Sequence, residues 1–314
     1  MRKALVVGID DYPGSARLRG CVNDANAVAE LLDKNADGSP NFQVKLFTTA
    51  KTKDELKSII LEAFNGHDDD VNLFYFSGHG NFSGTGGYIV TPDFSRHNVG
   101  ISMDELLKIV GLSRARHKIV VLDCCHAGAM GTPAIMGNSA AFLEQGVIIM
   151  ASSRSDESAV ESNGHGVFTS LLIDALKGGA ADVGGEITAS SIYSYINRAL
   201  GSWDQRPVFK ANIIRPVSLR KVNPPVLLSE LRKLKEYFPD VENDFQLDPS
   251  YEYTTDTPNE ANIATFKILR RMQLIGLIEP VGEEYMYWAA VRSKSCRLTS
   301  LGKYYWKLIK DGKI

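Results

Sequence analysis

No stretch of the sequence approaches the roughly 18–20 consecutive apolar residues of a membrane-spanning helix. The first residues, MRKALVVGIDDYPG, meet Asp10 and Asp11 too early for a secretory leader. Neither membrane insertion nor export is expected, and a cytoplasmic setting is. Cysteine is scarce, with four among 314 residues, two of them adjacent at Cys124 and Cys125, so no disulfide framework is legible. Charge of one sign is also lacking. Thirty-five Lys plus Arg stand against 37 Asp plus Glu, and bulk electrostatics therefore draws the chain to neither nucleic acid nor anionic lipid. No internal repeat or low-complexity tract is present. One local absence is sharper: between Lys118 and Arg154 there is no Lys or Arg at all.

What is there is an ordinary globular composition, 44% hydrophobic and 23% charged, with length enough for two domains that each bury a core. The first two-thirds alternates short β-branched runs with helical patterns, the signature of an α/β layer on a mostly parallel sheet. Strands are expected near Ala4 to Ile9, Gln43 to Phe47, Val71 to Phe76, Lys118 to Leu122, Val147 to Met150 and Val208 to Ile214. Helices are expected near Val22 to Leu32, Lys53 to Phe64, Met103 to Val110, Val167 to Leu176 and Ala189 to Leu200. Thr52 with Glu55, and Ser102 with Glu105, have the spacing of capping boxes.

The alternation stops at Arg215 to Pro225, RPVSLRKVNPP, which predicts domains of residues 1–219 and 226–314. From Arg220 onward the net charge is +2, against −4 before it. The tail reads as a helix near Leu228 to Glu236, a helix near Glu260 to Leu274, a strand pair around Tyr285 to Arg297 and a last helix from Thr299. That order suggests a winged helix-turn-helix.

Two strands run into polar loops: LFYFSGHG leaves His79 just past one, and IVVLDCCHAG leaves Cys125 just past the next. Ligands of open parallel sheets sit outside the carboxyl ends of the strands, so a histidine and a cysteine meet there. An imidazole raises the thiolate fraction of a neighbouring thiol and later hands a proton to a leaving amine. Gly78 and Gly80 let backbone approach a substrate closely, and the N–H groups of Gly80 and Cys125 suit a developing oxyanion.

The pair SGHG and DCCHAG, with Cys125 46 positions beyond His79, resembles the caspase-like cysteine peptidases, and most closely their metacaspase and orthocaspase branch. The likeness runs over about residues 3 to 215 and includes GCVNDANAVAELL and GVFTSLLIDAL. It implies a caspase-hemoglobinase α/β fold and a cysteine endopeptidase, with Cys125 as nucleophile and His79 as its base. It also implies that Asp123, Asp24, Cys21 and Ser77 line the first specificity pocket. Two carboxylates there favour a cation and penalise an anion, so cleavage after Arg or Lys is expected. Asp24 also suits the first turn of a helix. Members of the family that need calcium carry an acid-rich stretch after SGHG; here only Asp93 falls before ISMDEL, so neither calcium nor another cofactor is expected. Bacterial members often lie beside cell-death or antiviral partners and stay latent until triggered, which implies a regulated proteolytic switch.

Other features have plainer readings. His126 points away from its neighbour as a structural residue, His165 belongs to a loop leading into a helix, and Gly84 to Gly87 form a surface turn. Cys296 is expected to be buried. Tyr285, Tyr287, Trp288, Tyr304, Tyr305 and Trp306 are expected to pack a small core. In the tail, Lys267, Arg270 and Arg271 are candidate phosphate contacts, with protein docking favoured over DNA. The alternative from another class is a catalytically idle scaffold whose tail recruits a partner protein or DNA.

An enzyme that cuts after basic residues finds no site between Lys118 and Arg154. The expected result is that purified chain, incubated until it processes itself, gives no cut between Cys125 and Arg154 by mass spectrometry. A cut mapped there contradicts the basic specificity.

Overall fold

The computed structural model describes residues 1–65, 69–83, 86–124, 143–152, 161–162, 165–200 and 207–314. The chain divides into two compact units, Met1–Asp182 with Glu186–Val222, and Val183–Gly185 with Asn223–Ile314. The change at Val222 falls within the proline-bearing segment.

In the first unit the elements follow the order β1 (Arg2–Gly8), α1 (Cys21–Asp33), β2 (Gln43–Phe47), α2 (Lys53–Phe64), β3 (Val71–Ser77), β4 (Gly80–Ser83), β5 (Gly86–Ser95) and β6 (Asn98–Ser102). They continue with α3 (Met103–Leu112), β7 (His117–Asp123), β8 (Val147–Ala151), β9 (Glu161–Ser162), β10 (His165–Gly166), α4 (Val167–Asp174), β11 (Glu186–Thr188), α5 (Ala189–Leu200), β12 (Val208–Asn212) and β13 (Ser218–Lys221). The main sheet has the order β12-β8-β7-β3-β1-β2, parallel except for β12.

Its central strands are apolar runs rather than alternating ones because both faces are covered. Every residue of β3 is buried. One face sends Val6, Leu73, Tyr75 and Val121 against α1, α4 and α5; the other sends Val7, Phe74, Phe76 and Leu122 against α2, α3 and the β5–β6 hairpin. The strand period of two thus sorts the side chains into two cores. Order reverses at β1, which pairs with β2 on one side and β3 on the other, so a crevice opens at the carboxyl ends of these strands. Gly8 pairs with Ser77, and Ser77 with Asp123, so those ends lie level. Gly8 is required there: a Cβ would lie 2.2 Å from the Cys21 carbonyl, and only glycine lets α1 start against the end of β1.

The expected elements form, with differences. The segment after SGHG, where the sequence pattern predicts no strand, is the antiparallel sheet β4-β5-β6. The helix read over Val167 to Leu176 is α-helical only to Asp174 and continues as a π turn over Ala175–Gly179, with Gly178 at φ 133°. Thr52 and Ser102 accept the N–H of Glu55 and Glu105 as expected. The reciprocal half of each box is absent. Glu55 accepts from Lys51 N–H, and Glu105 turns to Lys57 and Lys53 because paired cations outcompete one neutral N–H.

The second unit contains α6 (Leu228–Leu231), α7 (Leu234–Tyr237), β14 (Phe245–Gln246), α8 (Glu260–Leu274), β15 (Ile278–Val281), α9 (Met286–Val291), β16 (Ser295–Leu298) and α10 (Ser300–Lys310), with the sheet order β14-β16-β15. The strand pair read over Tyr285 to Arg297 is displaced. Met286, Ala289 and Ala290 are buried at helical spacing, so MYWAAV forms α9 between the two strands despite its aromatic content. The six aromatics do not form a core together. Trp306 is buried, donating from its indole N–H to the Phe238 carbonyl at 2.6 Å, whereas Tyr285, Tyr287, Trp288 and Tyr304 lie on the exposed faces of α9 and α10. Cys296 is fully buried, which pushes its thiol up to about 12.

Candidate active site

The loop after β3 is tied down on every side. Gly78 N–H donates to the Asp123 carbonyl at 3.3 Å, joining the ends of β3 and β7. His79 N–H donates to the Tyr12 hydroxyl at 3.1 Å, and that hydroxyl donates to the Val90 carbonyl at 3.1 Å. The His79 ring meets Tyr12 edge-on, with centroids 4.6 Å apart. Its Nε2 lies 2.6 Å from the Ala16 carbonyl. A carbonyl only accepts, so Nε2 carries the proton and Nδ1 keeps the lone pair. Burial holds the Tyr12 phenol far above its ordinary range, so it remains a neutral donor.

Asp10 organises the other wall. Its carboxylate accepts the N–H groups of Cys21 at 2.9 Å and Val22 at 3.4 Å, capping a helix whose own N-cap, Gly20, has no side chain to offer. That fixes the first turn of α1, and with it Cys21 and Asp24. The Cys21 thiol is pushed up, chiefly by burial, and is held as a neutral lining group.

Asp24 and Asp123 are both buried, and each is held by hydroxyls. Asp24 accepts from Ser77 Oγ at 3.1 Å and from Gly166 N–H at 3.5 Å, and its other oxygen lies 2.7 Å from His165 Nδ1. Asp123 accepts from Thr169 Oγ1 at 2.6 Å, and Tyr75 Oη lies 2.6 Å from that same hydroxyl. Thr169 has one hydroxyl proton, so Tyr75 donates in turn. The carboxylates flank Gly166. A Cβ there would stand 2.9 Å from Asp123 Oδ2 and 3.7 Å from Asp24 Oδ2, so a side chain at this position would crowd both carboxylates. Burial raises the Asp123 carboxyl to about 6, the Thr169 hydrogen bond opposes that rise, and the Asp24 charge adds to it. Asp24 is raised as well, by burial, against the hydrogen bonds of His165 and Ser77.

Five of the residues expected from sequence therefore meet at one place: Cys21, Asp24, Ser77 and Asp123 around the acidic recess, and His79 on the loop leading out of it. Gly80 opens β4, half-buried, directly after His79. Cys125 lies outside the described residues, as does His126. Its neighbour Cys124 is buried in the apolar layer with Val7, Phe76 and Leu122, and its carbonyl accepts from the Ser152 hydroxyl at 3.3 Å. Sequence reasoning missed Tyr12, Asp10 and Thr169, and took His165 for loop alone. His165 does precede α4, but its imidazole is the partner of Asp24. Among the described residues no cluster of His, Cys, Asp or Glu suits a metal ion. No described helix is long and apolar enough to cross a membrane.

With the geometry in place, comparison gives the family. Residues 1–218 match the caspase domain, and the chain belongs to that family of peptidases. Among curated relatives, metacaspase-3 of Trypanosoma cruzi is 27% identical over 145 residues, covering 41% of this chain and 40% of that protein. Metacaspase-1A of Aspergillus oryzae is 29% identical over 146 residues, covering 41% of this chain and 35% of that protein. The alignments thus span well under half of these relatives. The crystal structure of caspase-1 from Spodoptera frugiperda aligns over 70% of this chain and 90% of that one, with a TM-score of 0.49 and 16% identity.

The buried acid makes a prediction about stability. The folded chain holds the Asp123 proton more tightly than the unfolded chain, whose carboxyl titrates near 3.8. Ionised Asp123 therefore costs about 3 kcal/mol above pH 6, a cost that fades as pH falls through about 6 and is gone below about 4. Asp123→Asn is expected to raise the thermal midpoint at pH 8 by roughly 5 °C and to change it little at pH 4. A lower midpoint at pH 8 contradicts the burial cost.

Proposed function

We propose that this chain is a cysteine endopeptidase that cleaves protein substrates after Arg or Lys. The observation that carries the reading is the pair of buried carboxylates, Asp24 and Asp123, gathered around Gly166 beside the loop that bears His79. A desolvated acidic recess is costly unless a cation fills it, and a guanidinium fork or an ammonium is the complementary substrate group. Burial of Cys124 supports assigning the nucleophile to Cys125.

In this mechanism the substrate's basic side chain enters the recess and sets its carbonyl against Cys125. The thiol proton passes to His79 Nδ1, and the sulfur bonds to the carbonyl carbon. The C=O π electrons move to oxygen, which the N–H groups of Gly80 and Cys125 stabilise. The imidazolium then protonates the leaving nitrogen as the C–N bond breaks, and the same nitrogen deprotonates the water that releases the acyl group. Tyr12 and the Ala16 carbonyl hold the ring so that Nδ1 faces the reaction throughout. No calcium enters the mechanism. Asp93 already accepts from Thr91, Lys53 N–H and Asn98.

For the second unit we propose a winged-helix-like docking module for a partner protein. Arg271, Arg292, Arg297 and Lys303 are already paired with Glu230, Glu283, Glu279 and Glu242, so these cations face carboxylates rather than a phosphate backbone. A latent, triggered protease of bacterial defence or cell death is the setting that the resemblance implies.

Peptides ending in Arg before a fluorogenic amide are expected to be hydrolysed, those ending in Asp are not, and Cys125→Ala abolishes turnover. For the Arg peptide, kcat/KM rises with pH on an acid limb set by Asp123, with a midpoint near about 6. Hydrolysis of the Asp peptide alone, or turnover that survives Cys125→Ala, overturns the reading. For the tail, fluorescence anisotropy with the full chain is expected to show no salt-dependent duplex binding; a steep fall of affinity with salt assigns the module to DNA instead.

A further inference from the structure

The loop Ser77–Gly80 has a second recess on its other side. It is a cleft of about 250 Å³ whose walls include Ala16, His79, Asn81, Val90, Phe94 and Val99. It shares no residue with the acidic recess. The acidic recess belongs to the α1 and α4 face of the sheet, whereas Val90, with Ala16 and Val99 packed near it, belongs to the layer on the opposite face. Among the described residues that line it there is no Asp, Glu, Lys or Arg, and Phe94 presents an exposed aromatic ring to it. At this size it is smaller than the ~300 Å³ at which whole-ligand pockets begin, and it suits one large apolar side chain.

We infer that this cleft receives the side chain of the substrate residue immediately after the scissile bond, and that it selects a large apolar one such as Leu or Phe. The inference rests on the peptidase reading above, and the position of His79 specifies the occupant. Its ring is a wall of the cleft, and Nε2 is engaged by Ala16, itself another wall. Nδ1 is thus the nitrogen that protonates the leaving amine. The first residue of the departing fragment must then lie against the His79 ring, while the basic residue before the bond occupies the recess on the other face. A charged side chain at this place meets a mostly apolar surface with no Asp, Glu, Lys or Arg among its described walls to pair with it, which disfavours it.

The test uses internally quenched peptides, identical through the Arg, that carry Leu, Glu or Lys next after it. Full-length chain is expected to cleave the Leu peptide at least about tenfold faster in kcat/KM than the Glu or Lys peptide. Phe94→Asp should turn the preference toward Lys, and Phe94→Lys toward Glu. A reversal of opposite sign in the two variants is not what misfolding produces. In parallel, wild-type chain is treated with a peptidyl-arginyl chloromethyl ketone, which has no residue beyond the reacting carbon. Labelling of Cys125 without any preference among the three peptides sinks the cleft assignment alone. So does a Leu preference that survives both charge variants. Neither labelling nor cleavage sinks the peptidase reading and this inference with it.

Discussion

Two carboxylates removed from water, Asp24 in the first turn of α1 and Asp123 at the end of β7, are the constraint on which the rest of this structure depends. Among the described residues no Lys or Arg forms an ion pair with Asp24 or Asp123. Each is held by neutral donors, Ser77 and the Gly166 N–H for one and the Thr169–Tyr75 chain for the other, with the His165 imidazole added at Asp24. Hydrogen bonds of this kind fix orientation and lower the cost of charge without cancelling it. The recess is therefore fixed in shape and still negative. The fold supplies what such a site needs: level strand ends, a helix capped from outside by Asp10, and a glycine where any side chain would crowd the carboxylates.

The same strand ends carry His79, the proposed base, on a more exposed shelf. His79 is clamped by Tyr12 from below and by the Ala16 carbonyl at Nε2, so its tautomer follows from a backbone atom rather than from a third acid. In the proposed mechanism the buried carboxylates grip the substrate, and the His79 ring, held by other partners, carries the proton.

Much of this was legible in the sequence. Apolar runs bounded by glycine and polar loops gave the central strands, because strands covered on both faces need unbroken hydrophobicity. SGHG and DCCHAG marked the strand ends. The resemblance supplied Cys21, Asp24, Ser77 and Asp123, which no local pattern reveals, since their meeting depends on the sheet order. Thr169 left a faint signal as a polar residue on the inward stripe of VFTSLLIDAL, and His165 another between two glycines. Tyr12 and the Ala16 carbonyl left none. A backbone acceptor has no sequence signature, and a tyrosine near a turn reads as surface. The β4-β5-β6 sheet was missed because its strands are glycine-bearing and partly exposed, and α9 was misread because its aromatics favour strand while its burial pattern is helical.

The most direct examination of the acidic recess is a crystal structure of the chain after reaction with a peptidyl-arginyl chloromethyl ketone. The account predicts a thioether at Cys125 Sγ, with the guanidinium seated between the carboxylates of Asp24 and Asp123 in hydrogen-bond contact with both. Alkylation of Cys124, or a guanidinium lying in solvent while the two carboxylates stay closed on their own hydroxyl and imidazole partners, would contradict it.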